Sequence, residues 1–80
     1  METAVLDLKG LNCPLPVLKA RKAMRSMLCG QRIWLETTDP LAIIDIPAFC
    51  RDDGHSLIEM QENGREHRFL IEHGGSGSGQ

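Results

Sequence analysis

Apolar residues along this chain recur at two spacings, and the spacing changes several times. Ala4 to Leu8 is short and apolar, with Asp7 near its end, and reads as a first strand. Lys9-Gly10-Leu11-Asn12 reads as a turn. From Pro14 or Pro16 to Leu28 the spacing becomes helical. Val17, Ala20, Met24, Met27 and Leu28 form one stripe, with Lys19, Arg21, Lys22, Arg25 and Ser26 on the other side. Gly30 is a candidate left-handed stop. Gln31 to Thr38 alternates, with Ile33 and Leu35 on one face and Arg32, Trp34 and Glu36 on the other, as a half-buried strand does.

Asp39-Pro40 then looks like a helix start, with Asp39 capping and Pro40 in the first turn. Leu41, Ile44, Ala48 and Phe49 are the expected inward residues, Pro47 an expected kink, and Asp53-Gly54 the expected end. Ser56 to Gln61 and Arg65 to Glu72 read as two strands, the second with Phe69 and Ile71 on one side. Asn63-Gly64 joins them as a hairpin in which both positions tolerate positive φ. The order βαβαββ predicts an α/β two-layer sandwich. Its mixed four-stranded sheet carries two helices on one face, with the early strands parallel and the last two antiparallel. Residues 1–73 form the expected domain, and 74–80, "GGSGSGQ", an expected flexible tail.

Eighty residues bound this to one domain with a thin core. Its aromatic residues are Trp34, Phe49 and Phe69, so Leu, Ile, Val, Met and Ala must carry the packing. A net charge of −2 gives no electrostatic reason to bind nucleic acid or an anionic membrane. No apolar run approaches a membrane span, and a cytoplasmic protein is the expectation. Cys13, Cys29 and Cys50 are odd in number and lack framework spacing, which argues against a secreted disulfide scaffold.

The candidate chemistry lies in "LNCPLP", residues 11–16. Pro14 and Pro16 fix their own φ near the helical value and bias Cys13 and Leu15 toward extended backbone. Cys13 is thus expected at or just before a helix N-terminus. There the amides of Leu15 and Val17 and the helix dipole would favour a thiolate. Lys9, Lys19 and Lys22 are candidates for added positive field. On spacing alone, the thiol is either reactive or a small buried hydrophobe. His55, His67 and His73 have no zinc-site spacing, and CxxC is absent, which disfavours metal binding and a thioredoxin-type dithiol. The strip Lys19, Arg21, Lys22, Arg25 is either a solvated helix face or a guide for an acidic partner.

"LDLKGLNCPLPVLKARKAM", "TTDPLAIIDIPAFCRDDGHSL" and "RFLIEHGG" together resemble the TusA/SirA sulfur-carrier family over nearly residues 5 to 74. The resemblance implies a βαβαββ sandwich and no metal or organic cofactor. It also implies that Cys13 accepts a sulfane sulfur from a cysteine desulfurase or another sulfur donor protein. Cys13 would hold it as a persulfide and pass it to an acceptor protein. Destinations in such a family include 2-thiouridine in tRNA, molybdenum-cofactor-related metabolism and sulfur oxidation. Pro14, Pro16, the basic strip and Asp45 are then the expected partner contacts. Cys50 is expected in the core, and Cys29 without a role. Such a chain is a transferase component more than a free-standing enzyme, and a monomer forming transient complexes is the simplest expectation. The rival reading is a regulatory or interaction module whose thiol is incidental.

Overall fold

A computed structural model describes residues 3–74. It contains β1 (Ala4–Asp7), α1 (Leu15–Met24), β2 (Arg32–Thr37), α2 (Ala42–Asp53), β3 (Ser56–Asn63) and β4 (Glu66–Glu72). The strands form one sheet in the order β1-β2-β4-β3. β1 and β2 are parallel, while β4 runs antiparallel to both β2 and β3. The last strand in the sequence thus lies between β2 and β3, which α2 connects across the gap.

Alternation explains the central strands. Ile33, Leu35, Phe69 and Ile71 are buried and face the helices, with Leu35 opposite Phe69 and Ile33 opposite Ile71. On the open face Trp34 lies beneath the Arg68 guanidinium, 4.3 Å from its ring centroid. From the helices, Ala20 and Met24 of α1 and Ala42, Ile46, Phe49 and Cys50 of α2 complete the core. Within α2 these positions follow i, i+4, i+7, i+8, which is one helical stripe.

Several expected boundaries shift. α1 ends at Met24 instead of Leu28. Its hydrogen bonds tighten there, with Ser26 and Met27 amides reaching Ala23 and Met24 carbonyls and the Ser26 hydroxyl also bonding Ala23 O. Leu28 is consequently exposed, and left-handed Gly30 serves the turn into β2 rather than the helix end. In α2 the buried face is rotated from the expected one: Leu41 and Ile44 point to solvent. Asp39 accepts the Leu41 amide but does not cap the helix: the N-cap is Leu41, with no side-chain cap bond, and helix proper begins at Ala42. α2 is assigned as one helix through Pro47, whose missing N–H costs only the bond to the Ile43 carbonyl. Left-handed Gly54 ends it as expected.

The hairpin also differs. Asn63 is the last paired residue of β3, opposite Glu66, so the two-residue turn is Gly64-Arg65. Only Gly64 has positive φ, which suits a turn with glycine in the first central position. β3 carries a bulge between Leu57 and Glu59, leaving Ile58 without a partner. At the C-terminal edge Gly74 is fixed by an N–H bond to His55 Nδ1. It packs so tightly on the Gly54 carbonyl that no Cβ fits. The rest of the expected tail, 75–80, lies outside the described residues.

Phe69 is fully buried at the centre of the sheet. Phe69→Ala is expected to cost about 3–5 kcal/mol, read by urea denaturation monitored through Trp34 fluorescence. A loss below about 1 kcal/mol would show that the core is organised differently.

Candidate functional site

Cys13 lies in the loop that leads from β1 into α1, two residues ahead of Leu15, where the helix begins. Its side chain is exposed and its thiol free. The Cys13–Pro14 peptide bond is cis, and Pro14 occupies the N-cap. The proline frame is asymmetric: Pro14 is exposed, whereas Pro16 is buried under the first turn of α1.

What holds the loop is Asp39. One carboxylate oxygen, Oδ2, accepts the Cys13 amide at 2.7 Å, and the other, Oδ1, accepts the Leu41 amide at 3.2 Å. Asp39 is itself buried, so a single carboxylate joins the loop before α1 to the start of α2. The Gly10 amide adds a second tie, to Thr38 Oγ1. Further along, Asp45 stands in the first turn of α2, whose approach Asp39 ties to the Cys13 loop.

Part of the expected thiolate cradle is already occupied. The Leu15 amide, expected to face the sulfur, is spent on the Asn12 carbonyl, and the Cys13 amide on Asp39. Lys9 directs its ammonium to Glu36 and Asp7. The resulting environment raises the Cys13 pKa above the ordinary thiol value. Its hydrogen bond to Asp45 is the largest cause, followed by desolvation and the charges of Asp45 and Asp39.

The other sequence candidates scatter. Lys19, Lys22 and Arg25 are exposed on α1, but Arg21 turns away to pair with Asp53 at 2.9 Å and to cover Phe49. Cys50 is buried in the core as expected, and burial pushes its thiol up to about 11. Cys29 is exposed and donates to the Gly74 carbonyl. The His55 and His73 rings lie 4.7 Å apart, tilted by 48°, while His67 meets Thr37 Oγ1. Among the described residues no group of three His, Cys, Asp or Glu side chains is placed to hold a metal ion. Two surface grooves, of about 420 and 570 Å³, are not lined by Cys13.

The sequence reading missed an apolar border to the site. Leu15 and Leu18, on α1, and Leu41 and Ile44, at the start of α2, are 44%, 50%, 51% and 67% exposed. Leu15 and Leu18 follow Cys13 in the first turns of α1, and Leu41 and Ile44 follow Asp39, which ties the two helix approaches together. The signal was present in the sequence: Leu41 and Ile44 stand out of phase with Ala42, Ile46, Phe49 and Cys50, which share one helical stripe.

A four-stranded sheet under two helices, with an exposed cysteine before the first, defines a small thiol-bearing carrier-type domain. Sequence comparison makes the class specific: the profile of the family described as Sulfurtransferase TusA matches residues 4–73. The chain belongs to that family. It is 44% identical over 66 residues to the sulfur carrier protein TusA of Allochromatium vinosum, covering 82% of this chain and 87% of that one. In fold it is similar to the crystal structure of a SirA-like protein from Desulfitobacterium hafniense. That match has a TM-score of 0.77 at 19% identity, over 90% of this chain and 99% of the other. The chain is thus a sulfur carrier of the TusA type, a class that works with sulfur donor and acceptor proteins.

Asp39→Ala removes both bonds of the bridge and is expected to cost about 2–3 kcal/mol. Amide exchange at Cys13 should accelerate in the same variant, measured by NMR. An unchanged exchange rate at Cys13 would show that the loop is held by other means.

Proposed function

We propose that Cys13 carries a single sulfane sulfur as a persulfide, taken from a donor protein of the cysteine desulfurase class and delivered to a cysteine of an acceptor protein. The observation that carries this reading is the exposed Cys13 sulfur, on a backbone tied by Asp39 at the meeting of two helix starts. A cysteine so held loses little freedom when a partner docks. The transfer needs access to the sulfur and a brief loss of its proton, and exposure supplies the first. Three free thiols fit a reducing compartment, and we place the protein in the cytoplasm. Among the described residues no helix is long and apolar enough to cross a membrane.

Partner recognition is assigned to the site's border. Leu15, Leu18, Leu41 and Ile44 offer apolar anchors around the sulfur, while Pro14, Asp45 and the exposed bases Lys19, Lys22 and Arg25 offer a polar rim. Arg21 and Pro16 contribute indirectly, the first through Asp53 and the second by packing. The acceptor that fits this border decides whether the sulfur goes to tRNA 2-thiouridine, to molybdenum-cofactor-related chemistry or to sulfur oxidation.

Incubation with a cysteine desulfurase and free cysteine should add the mass of one sulfur to the intact chain. Cys13→Ser should abolish the gain and leave thermal stability nearly unchanged, because the side chain is exposed. Unaltered mass with several desulfurases would instead favour an interaction module with an incidental thiol. For the border, Ile44→Asp should weaken donor binding by about tenfold or more in calorimetry while changing stability by less than about 0.5 kcal/mol. Unaltered affinity would move the docking surface elsewhere.

A further inference from the structure

Beyond β4 the chain is gripped by side chains on both sides of one residue. The Gly74 N–H donates to His55 Nδ1 at 3.0 Å, and the Gly74 carbonyl accepts the Cys29 thiol at 3.2 Å. His55 is itself built into the turn between α2 and β3. Its amide bonds the Cys50 carbonyl at 2.8 Å, and its ring centroid lies 5.5 Å from that of Phe49 and 4.7 Å from that of His73. A ring nitrogen that accepts an amide hydrogen carries no proton of its own. The bond to Gly74 therefore exists only while His55 is neutral, with its proton on Nε2. The neighbours keep it so. Arg21 and Arg25 of α1, Asp52 and Asp53 of α2, and His73 line the same groove. Asp53, which favours a charged ring, is already paired with Arg21 at 2.9 Å, and Asp52 lies 3.8 Å from Arg51. His73 Nδ1 is buried, with no partner among the described residues. Burial, then His73, and more weakly Arg21 hold His55 below the ordinary histidine value.

We propose that His55 is a pH-operated latch on the end of β4: neutral, its Nδ1 fastens Gly74 to the turn between α2 and β3; protonated, it meets the Gly74 N–H with an N–H of its own and lets go. A proton from solvent takes the Nδ1 lone pair, one hydrogen bond breaks, and no covalent bond between heavy atoms changes. The direction follows from the lowered affinity of the ring for a proton. The latch contributes fully above the ordinary histidine value, and its contribution is lost as pH falls through the lower value of the folded chain. Release stops at Gly74. One residue earlier the Gly30 amide bonds the His73 carbonyl and the His73 amide bonds the Gln31 carbonyl, and neither bond involves a titrating group. β4 runs antiparallel to β2, whereas β1, which leads to Cys13, runs parallel to it. The latch thus stands at the opposite end of the sheet from Cys13 and works whether or not that sulfur is loaded.

The test is an NMR titration of the full chain from about pH 8 to about pH 5, a range that spans histidine ionisation. The Gly74 amide shift should move with one midpoint, shared with the His55 ring signals and lying below that of an ordinary histidine. On the acid side its protection against hydrogen exchange should fall several-fold, up to about tenfold, as one bond is lost. Amides of β2 and β4 should hold their positions throughout. His55→Asn places a carbonyl oxygen near the position of Nδ1, so it can accept the same hydrogen without titrating. In that variant the Gly74 signal should stay level across the range. A Gly74 amide that is indifferent to His55 ionisation in the unaltered chain overturns the proposal, as does one that still titrates in His55→Asn. Loss of the β2 and β4 signals together with Gly74 also overturns it, since the opening is then global.

Discussion

The Asp39 carboxylate is the constraint on which the site depends. Two amides that would otherwise be unpaired, those of Cys13 and Leu41, converge on its two oxygens. Each belongs to the approach of a different helix. Because Asp39 is buried, the bonds form in a setting where an unmatched polar group is expensive. The loop before α1 and the loop before α2 are therefore positioned as one object. The sheet supports it from below: the Leu8 amide bonds the Glu36 carbonyl, extending the β1–β2 pairing up to the turn that leads to the cysteine.

The same bridge explains the electrostatics. Tying the cysteine loop to the start of α2 brings with it the acids of that segment, and Asp45 and Asp39 both raise the Cys13 pKa. A helix start is commonly a place for anions. Here two donors are absent, at Pro14 and Pro16, the Leu15 amide is spent on the Asn12 carbonyl, and the charges of Asp45 and Asp39 push the Cys13 thiol up.

Much of this architecture was legible in the residues. Strict alternation in β2 and β4 gave the buried pairs Ile33–Ile71 and Leu35–Phe69, because sheet burial follows a period of two. The place of Cys13 just ahead of α1 was legible from its two prolines. The phase of α2 was not, since Leu41 and Ile44 are large and apolar yet face solvent, and the burial stripe runs instead through Ala42 and Ile46. Hydrophobicity alone cannot separate a core residue from one kept outside for a partner. The charge around the sulfur was hidden for a different reason. Asp39 and Asp45 lie 26 and 32 positions after Cys13, and only the packing of two helix starts brings them to it.

The bulge at Ile58 has a consequence for life in a crowded solution. β3 is an outer strand, and an outer strand with regular unpaired amides invites a second chain to add itself. Slipping one residue out of step between Leu57 and Glu59 spoils that regularity, while Glu59 and Glu62 add like charge along the same border. The opposite border is only four residues long. Both rims of the sheet thus offer little regular backbone for another strand to pair with.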